Sequence, residues 1–239
     1  SSAFDQKSLE FLVNKLKLKV IKLPSGEITN LPYLIKLAKY NKVLILSTGM
    51  SRLEEIKKTL KILITNGQSK KKITLLHCNT SYPTPMKDVN LRAMNNLGNI
   101  FNLNVGYSDH TLGTEVAVAS VALGAKVIEK HFTLNKKWKG PDQSSSLDPK
   151  EFTKMVKAIR NIDLAKGSYN KKITFSESKN IKFARKSIVA SQDIKKGQKF
   201  SINNLTIKRP GNGISPMRWF KVLQMRAKKK FKKDDLIII

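Results

Sequence analysis

The sequence has one cysteine, few aromatic residues, few acidic residues and no long apolar run. The single cysteine, Cys78, excludes an intramolecular disulfide framework over the 239 residues. No stretch approaches the roughly 18 consecutive apolar residues that a membrane-spanning helix requires, and no secretory signal pattern opens the chain at Ser1. We therefore expect a folded cytoplasmic protein that has no membrane partner.

Acidic residues are scarce: the chain has 17 aspartates and glutamates but 46 lysines and arginines, which gives a formal net charge of +29. Such an excess is typical of proteins that bind nucleic acid or another polyanion. Only seven of the 46 are arginines, whereas planar guanidinium groups are favoured for reading bases and gripping phosphates. Aromatic residues, 7% of the chain, do not interleave with the basic runs. The pattern favours a solvated lysine-rich surface with no specific nucleic-acid partner, and a basic nucleic-acid-binding protein is a remote alternative.

Short apolar runs alternate with longer amphipathic stretches, which is typical of βα units around a parallel sheet. The predicted strands are residues 19–23, 43–48, 73–78, 104–108 and 126–132. The predicted helices are residues 31–40, 52–66, 87–100, 112–124 and 148–165, with starts signalled by Ser51 and by Asp148 before Pro149. Five units are fewer than the eight of a closed (β/α)8 barrel, which takes ~250 residues.

The pattern changes after residue 167. Residues 168–182 are polar and rich in lysine, which predicts a linker. From residue 183 to residue 239, short β-like pieces are punctuated by glycine and proline, which predicts a small β-rich domain. We therefore divide the chain into a barrel part (1–167), a linker (168–182) and a second domain (183–239).

Side chains that can carry chemistry recur at the predicted strand ends, where α/β barrels place reactive groups. Residues 108–110 (Ser-Asp-His) end one strand and residues 129–131 (Glu-Lys-His) end the next. Neighbouring parallel strands lie ~4.8 Å apart, so two imidazoles at matching heights could share one divalent metal. Either histidine could equally be a hydrogen-bonded interior residue, and the residues alone leave metal binding open.

Two further strand ends carry groups suited to an anionic or polyhydroxylated ligand. Lys22 and residues 25–27 (Ser-Gly-Glu) supply an ammonium, a hydroxyl and a glycine that lets backbone amides approach an anion. Residues 77–85 supply a cluster of hydroxyl and amide groups. Each segment could instead be an ordinary turn, and Cys78 is predicted to be a small core residue.

Taken together, these motifs resemble those of the sialic acid synthase family. The family comprises N-acetylneuraminate synthase and its relatives that make legionaminic and pseudaminic acids. The matching segments occur in the family's order, at residues 22–27, 46–50, 76–85, 106–111, 129–132, 140–142 and 208–213. The resemblance implies a TIM (β/α)8-type barrel, here lacking its first three strands, followed by a small β-rich antifreeze-like SAF domain. Residues 1–4 then resemble the end of the third barrel strand.

The resemblance implies a transferase of sialic acid biosynthesis. The implied reaction condenses phosphoenolpyruvate with the open-chain aldehyde of N-acetylmannosamine, by C–O cleavage, to give N-acetylneuraminate and phosphate. A legionaminate or pseudaminate synthase acting on a diacetamido-dideoxyhexose is the alternative within the family, and residues 140–149 are closer to the neuraminate and legionaminate branch. A non-catalytic carbohydrate-binding protein is a remote alternative. The implied cofactor is a divalent metal, manganese, with magnesium or cobalt as alternatives.

The resemblance also assigns roles to individual residues. It implies metal ligation by His110 and His131, and catalytic roles for Glu27, Glu129 and Asp142. The implied substrate-binding residues are Ser2, Lys22, Ser25, Asn79, Thr80, Tyr82, Ser108 and Arg209. Which of Asn79 and Thr80 meets substrate is open, because this chain has threonine where some members carry asparagine.

The resemblance further implies an assembly. The expected partner is a second copy of the chain, in a homodimer whose swapped SAF domain brings Arg209 to the neighbouring barrel. Without the first three strands, the 239-residue chain alone is expected to be poorly folded and inactive.

Overall fold

The computed structural model describes residues 1–239 and divides them into two compact units, Ser1–Gly167 and Ser168–Ile239. The first unit contains a parallel sheet, and the second contains a small antiparallel pair of strands. None of the helices combines the length and the apolar character that a membrane crossing needs.

Five parallel strands form the sheet of the first unit, and neighbours in the sheet are also successive along the chain. They are β1 (Val20–Leu23), β2 (Val43–Ser47), β3 (Ile73–Cys78), β4 (Asn104–Asp109) and β5 (Ile128–Lys130). A parallel bridge between Ser2 and Lys22 continues the sheet beyond β1. Successive βα units of a barrel produce this order, so the predicted TIM-barrel fold class, with five strands in this chain, is confirmed.

Strand β5 is shorter than the predicted strand 126–132 because the chain leaves the ladder after Lys130. The carbonyl oxygen of His131 accepts a hydrogen bond from the backbone N–H of Leu147 at 2.9 Å, and Phe132 bridges the same leucine. Residues 131 and 132 therefore pair with the segment that returns from the following loop. Three residue pairs join β4 to β5.

Six α-helices belong to the first unit. They are α1 (Gln6–Glu10), α2 (Leu31–Lys39), α3 (Leu53–Thr65), α4 (Leu91–Phe101), α5 (Glu115–Ala122) and α6 (Pro149–Lys166). The five predicted helices correspond to α2–α6. Helix α1 and the π-helical turn after it, Phe11–Lys15, lie outside the predicted helices. Asp5 caps α1, and Leu9, Leu12 and Val13 are buried, so an N-cap followed by helical apolar spacing is a signal that the sequence does carry.

One of the two predicted helix starts is wrong. Helix α3 begins one residue later than Ser51 predicts, because the Glu55 carboxylate accepts a hydrogen bond from the backbone N–H of Arg52 at 2.8 Å, while the Ser51 hydroxyl donates to the Gly49 carbonyl. The other start is confirmed. Asp148 caps α6 and Pro149 is its first residue.

Alternate residues of the first strands build the core of the sheet. The buried residues Ile21 and Leu23, Leu44 and Leu46, and Ile73 and Leu75 pack in one apolar cluster with helices α2 and α3. Since successive side chains of a strand point to opposite faces, the residues between them face the other side. That side carries Lys22 and, at the end of β2, Ser47.

The second unit is a small β-rich domain. Strands β6 (Ser187–Ala190) and β7 (Leu205–Lys208) are antiparallel, and a short helix, α8 (Trp219–Leu223), follows them. Its core is a cluster of buried residues: Ile188, Ala190, Ile194, Phe200, Leu205, Val222, Ala227, Phe231 and Ile237.

The segment 168–182, predicted as a linker, contains most of a helix, α7 (Phe175–Ala184). Thr174 and Glu177 form a reciprocal capping box at its start. The helix buries none of its residues, so it has no apolar face to leave a periodic pattern in the sequence. The capping box is the local signal that predicts it.

We expect the second unit to depend on its aromatic pair. Phe231 is buried, and its ring centroid lies 6.1 Å from that of Phe200. Replacing it by alanine leaves a cavity, so Phe231→Ala should lower the free energy of unfolding by about 3–5 kcal/mol. Urea denaturation followed by tryptophan fluorescence measures this in a Trp138→Phe background, where Trp219, which packs on this core, is the only tryptophan.

The matched control is Phe183→Ala in the same background, because Phe183 is an exposed phenylalanine of the same unit. It should change the free energy of unfolding by no more than about 0.5 kcal/mol. Equal losses in the two variants would contradict the assignment of Phe231 to the core.

Candidate active site

A cavity of about 380 Å³ opens at the carboxyl ends of the parallel strands. Its lining is unusually rich in polar groups, drawn from every strand of the sheet or from the turn after it: Lys22, Ser25, Ser47, Cys78, Thr80, Tyr82, Ser108, His110, Glu129 and His131. A larger cavity of about 460 Å³, beside α3 and α4, is lined by His77 and by none of the predicted site residues. The chemistry therefore points to the strand-end cavity.

Glu129 accepts hydrogen bonds from two neighbours in this cavity. Its carboxylate oxygen Oε1 lies 2.8 Å from Lys22 Nζ and 2.6 Å from Ser108 Oγ. Burial alone would raise the pKa of Glu129, but the hydrogen bonds from Lys22 and Ser108 outweigh it and hold the pKa below its usual value. Glu129 is therefore a carboxylate at neutral pH and acts as an acceptor.

Two imidazoles stand side by side in the cavity. The ring centroids of His110 and His131 are 5.3 Å apart, edge to face. The Tyr82 ring packs against both, at 4.1 Å from His110 and 5.1 Å from His131. Burial lowers the pKa of His110 and raises the pKa of the Tyr82 phenol, so a neutral imidazole and a neutral phenol are the forms present at pH 7.

The His110 ring is held by the backbone. Its Nδ1 lies 2.5 Å from the Asn79 carbonyl oxygen, so Nδ1 carries the proton and Nε2 offers a lone pair. A ring N–H held by a carbonyl oxygen is the usual outer-shell arrangement of a metal-binding histidine. His131 Nδ1 lies 3.7 Å from Asp142 Oδ2, which is beyond hydrogen-bond distance, so either ring nitrogen of His131 can be the second donor.

These donors fit a divalent cation that takes its other ligands from elsewhere. Over residues 1–239, no cluster of three or more histidine, cysteine, aspartate or glutamate side chains could hold a metal. Two imidazole nitrogens in one polar cavity are still a suitable partial set for a first-row divalent metal. The remaining positions would fall to water and substrate, as at a catalytic metal site.

Sequence reasoning missed Ser47. Its hydroxyl lines the cavity, the residue is 2% exposed, and the oxygen has no hydrogen-bond partner. An unpaired buried hydroxyl is costly, so it suits a ligand that brings its own acceptor or donor. The rule that selects Ser108 at the end of β4 would also have selected Ser47 at the end of β2.

The turn around Ser25 is packed closely against the neighbouring loops. The Ser25 hydroxyl accepts a hydrogen bond from the backbone N–H of Gly49 at 2.9 Å and lies 3.4 Å from Cys78 Sγ. A Cβ at Gly49 would stand 2.8 Å from the Thr80 methyl group and 2.9 Å from Ser25 Oγ. Glycine at this position therefore lets Ser25 and Thr80 reach the cavity.

Asp142 lies outside this lining, 3.7 Å from His131, and so do four further predicted site residues. The Glu27 carboxylate accepts a hydrogen bond from Asn30 at 2.6 Å, because Asn30 is the N-cap of α2. The Asn79 side chain turns toward the next residues of its own loop, where it accepts from the Ser81 N–H, so Thr80 is the one of the two that lines the cavity. Ser2 is placed by its bridge to Lys22.

The fourth residue, Arg209, belongs to the second unit. Its Nε donates to the Ala184 carbonyl oxygen at 3.0 Å, and its side chain is exposed. The predicted roles of these four residues stay predictions.

Comparison with known proteins identifies the family of both units. The NeuB family model matches residues 1–171, and the SAF domain model matches residues 185–237. The N,N'-diacetyllegionaminic acid synthase of Campylobacter jejuni is 55% identical over 237 residues, which cover 99% of this chain and 71% of that protein. The pseudaminic acid synthase of Helicobacter pylori is 35% identical over 231 residues, 96% of this chain and 66% of that protein.

A solved structure is also similar. The N-acetylneuraminic acid synthetase of Leptospira borgpetersenii, crystallised in complex with citrate, has a TM-score of 0.69 and 32% sequence identity. The match covers 75% of this chain and 62% of that protein. These relatives are synthases of nonulosonic acids, and the family models match both units of the fold. The chain belongs to the sialic acid synthase family.

Proposed function

We propose that this protein condenses phosphoenolpyruvate with the open-chain aldehyde of a 2,4-diacetamido-6-deoxyhexose, to give a legionaminate-type nonulosonic acid and phosphate. The observation that carries the proposal is the strand-end cavity, in which a lysine and several serine hydroxyls adjoin a pair of imidazoles. The sugar is chosen because the legionaminic acid synthase is 55% identical to this chain, against 35% for the pseudaminic acid synthase. N-acetylmannosamine, which the sequence analysis favours, becomes the second candidate.

The cationic side of the cavity suits phosphoenolpyruvate, which carries a phosphate and a carboxylate. Lys22 supplies a positive charge, and the Ser25 hydroxyl can donate a hydrogen bond to an anionic oxygen. The Ser108 hydroxyl can do the same in exchange for its bond to Glu129. The unpaired hydroxyl of Ser47 gains a partner when such an oxygen enters. We propose that these four residues bind phosphoenolpyruvate.

Other groups in the cavity suit the sugar. Thr80 and the neutral Tyr82 phenol line it and can hydrogen-bond hydroxyl or acetamido groups. A divalent metal, manganese first and magnesium or cobalt as alternatives, would be held by His110 and His131 and would polarise the aldehyde as a Lewis acid. The Asn79 carbonyl keeps His110 in the tautomer that ligation needs.

The proposed reaction forms one carbon–carbon bond and releases phosphate with the consumption of one water molecule. The methylene carbon of phosphoenolpyruvate bonds to the aldehyde carbon, water adds to the enol carbon, and the C–O bond to phosphate breaks. The aldehyde oxygen becomes a hydroxyl by gaining a proton. Glu129, a carboxylate at neutral pH, can accept a proton from water or a substrate hydroxyl, and Ser108 at 2.6 Å can pass one to it. Asp142, beside His131, is proposed to contact the sugar.

We also propose that the second unit acts on a neighbouring copy of the chain. Arg209 uses only its Nε in the hydrogen bond to Ala184, so the terminal nitrogens of its guanidinium group are available to a substrate oxygen. A homodimer in which each SAF domain serves the partner's cavity would use them.

Phosphate release tests the reaction and its sugar. We expect the full-length gene product, loaded with manganese, to release phosphate from phosphoenolpyruvate fastest with a 2,4-diacetamido-6-deoxyhexose, slower with N-acetylmannosamine, and not at all without sugar. A chelator should abolish the signal, and added manganese should restore it. A preference for N-acetylmannosamine would move the protein to the neuraminate branch, and silence with every sugar in folded, metal-loaded protein would refute the proposed reaction.

Removal of the Ser47 hydroxyl tests the phosphoenolpyruvate subsite. Ser47→Ala should raise the KM for phosphoenolpyruvate about tenfold, because one hydrogen bond to a charged group is lost. Thermal unfolding should be unaffected, since the hydroxyl has no partner in the protein. The control is Ser120→Ala on α5, a buried serine bonded to the Ala117 carbonyl. It should leave the KM unchanged, and an unchanged KM in Ser47→Ala would count against the subsite.

Manganese titration tests the imidazole pair. Isothermal titration calorimetry of His110→Ala and of His131→Ala should show at least a tenfold loss of manganese affinity, because each variant removes a ligand. The third histidine is the control, since His77 Nε2 bonds the Val89 carbonyl oxygen and lies outside the site. His77→Gln should bind manganese as the wild type does. If all three variants retain wild-type affinity, the metal is held elsewhere.

A further inference from the structure

A buried ion pair lies directly behind the two imidazoles of the candidate active site. Lys130 Nζ is 2.9 Å from Asp109 Oδ2, and the two side chains are 1% and 0% exposed. Asp109 and Lys130 are register partners in the last pair of the β4–β5 ladder. His110 and His131 are the next residues along the same two segments.

The ion pair faces away from the cavity. The cavity is lined by the residues on either side of the pair, Ser108 and His110 on one segment and Glu129 and His131 on the other. Because side chains alternate along a strand, the residues between them point to the helix layer, and Lys130 lines a groove beside Phe152 of α6. The pair therefore touches no part of the proposed substrate site.

Lys130 also holds the chain on the far side of His110. Its ammonium donates to the Thr111 carbonyl oxygen at 2.5 Å. Asp109 Oδ1 accepts from the Thr111 backbone N–H at 2.9 Å and from its hydroxyl at 2.7 Å. Asp109 and Thr111, which flank His110, are thus hydrogen-bonded to each other. Both are also bonded to Lys130, which precedes His131.

The β4–β5 ladder by itself gives little support to the segments that carry His110 and His131. Strand β5 has three residues, and the chain turns away to pair with Leu147 directly after it. Burying two charges is also an expensive way to gain stability, because apolar residues of similar volume often stabilise a fold as well or better. A role in geometry accounts for a buried pair at this position better than a role in stability.

We propose that Asp109 and Lys130 are positioning residues that set the separation and orientation of the His110 and His131 rings. This inference rests on the proposed function, because it takes the two imidazoles to be the metal ligands. Neither residue contacts substrate or metal. Both act through the backbone that carries the imidazoles.

The test is a double variant, Asp109→Asn with Lys130→Met, made in the full-length gene product. It removes both charges and leaves no orphaned ion, while asparagine can still accept the hydrogen bonds of Thr111. We expect manganese affinity, measured by calorimetry without substrate, to fall about tenfold or more, as outer-shell changes do at metal sites. In the metal-free protein, the ¹⁵N signals of the two histidine rings should shift, while the urea midpoint stays near that of the wild type.

The control is the half-buried pair Lys136 and Glu151, whose closest approach is 2.9 Å. Lys136→Met with Glu151→Gln should change neither manganese affinity nor the histidine signals. Wild-type affinity and wild-type histidine signals in a folded Asp109→Asn, Lys130→Met protein would overturn the positioning role. Failure of the proposed function would look different, since manganese binding would then survive the loss of His110 and His131.

If the double variant does not fold, a second variant tests the positioning role of Asp109 and Lys130. Thr111→Val keeps the shape of the side chain and removes only its hydrogen bond to Asp109. We expect it to fold and to weaken manganese binding about threefold, a fraction of what one hydrogen bond to a charged group contributes. Unchanged affinity in this variant would overturn the inference.

Discussion

The alternation of side chains along parallel strands is the constraint on which the rest of this structure depends. Each strand sends one residue to the helix layer and the next to the cavity. Leu23 and Lys22 show this on β1, and Leu46 and Ser47 show it on β2. The carboxyl ends of five adjacent strands therefore deliver a row of polar groups to one place while the apolar residues between them form the core.

The same constraint places charge on both sides of the sheet at its last two strands. On the cavity side, Ser108 and Lys22 hold Glu129 as a carboxylate. On the helix side, Asp109 and Lys130 form a fully buried pair. The two networks differ in what they can do, because the first is open to ligand and the second is closed. An anion that enters the cavity can compete with Glu129 for Lys22. The buried pair can only hold β4 and β5 together.

Apart from the short helix α1, local patterns predicted the elements that have a buried face and missed those that depend on other contacts. Helices α2–α6 could be predicted because their apolar residues repeat at helical spacing. Helix α7 buries none of its residues, so its capping box is the local pattern that predicts it. Strand β5 ends early because Leu147, distant in sequence, takes over the pairing of residue 131. The contact of Glu27 likewise depends on packing, since its carboxylate accepts a hydrogen bond from Asn30 at the start of α2.

The sequence by itself determined the order of the βα units, the two-part organisation and the identity of the strand-end residues, because these follow from periodicity and from motifs contiguous in the chain. Only the tertiary structure decided which side chains meet. The contact of Lys22 with Glu129, the choice of Thr80 over Asn79 and the unpaired Ser47 hydroxyl all join or compare groups whose positions depend on packing across several strands. Distances of this kind are set by the sheet as a whole, and no local pattern records them.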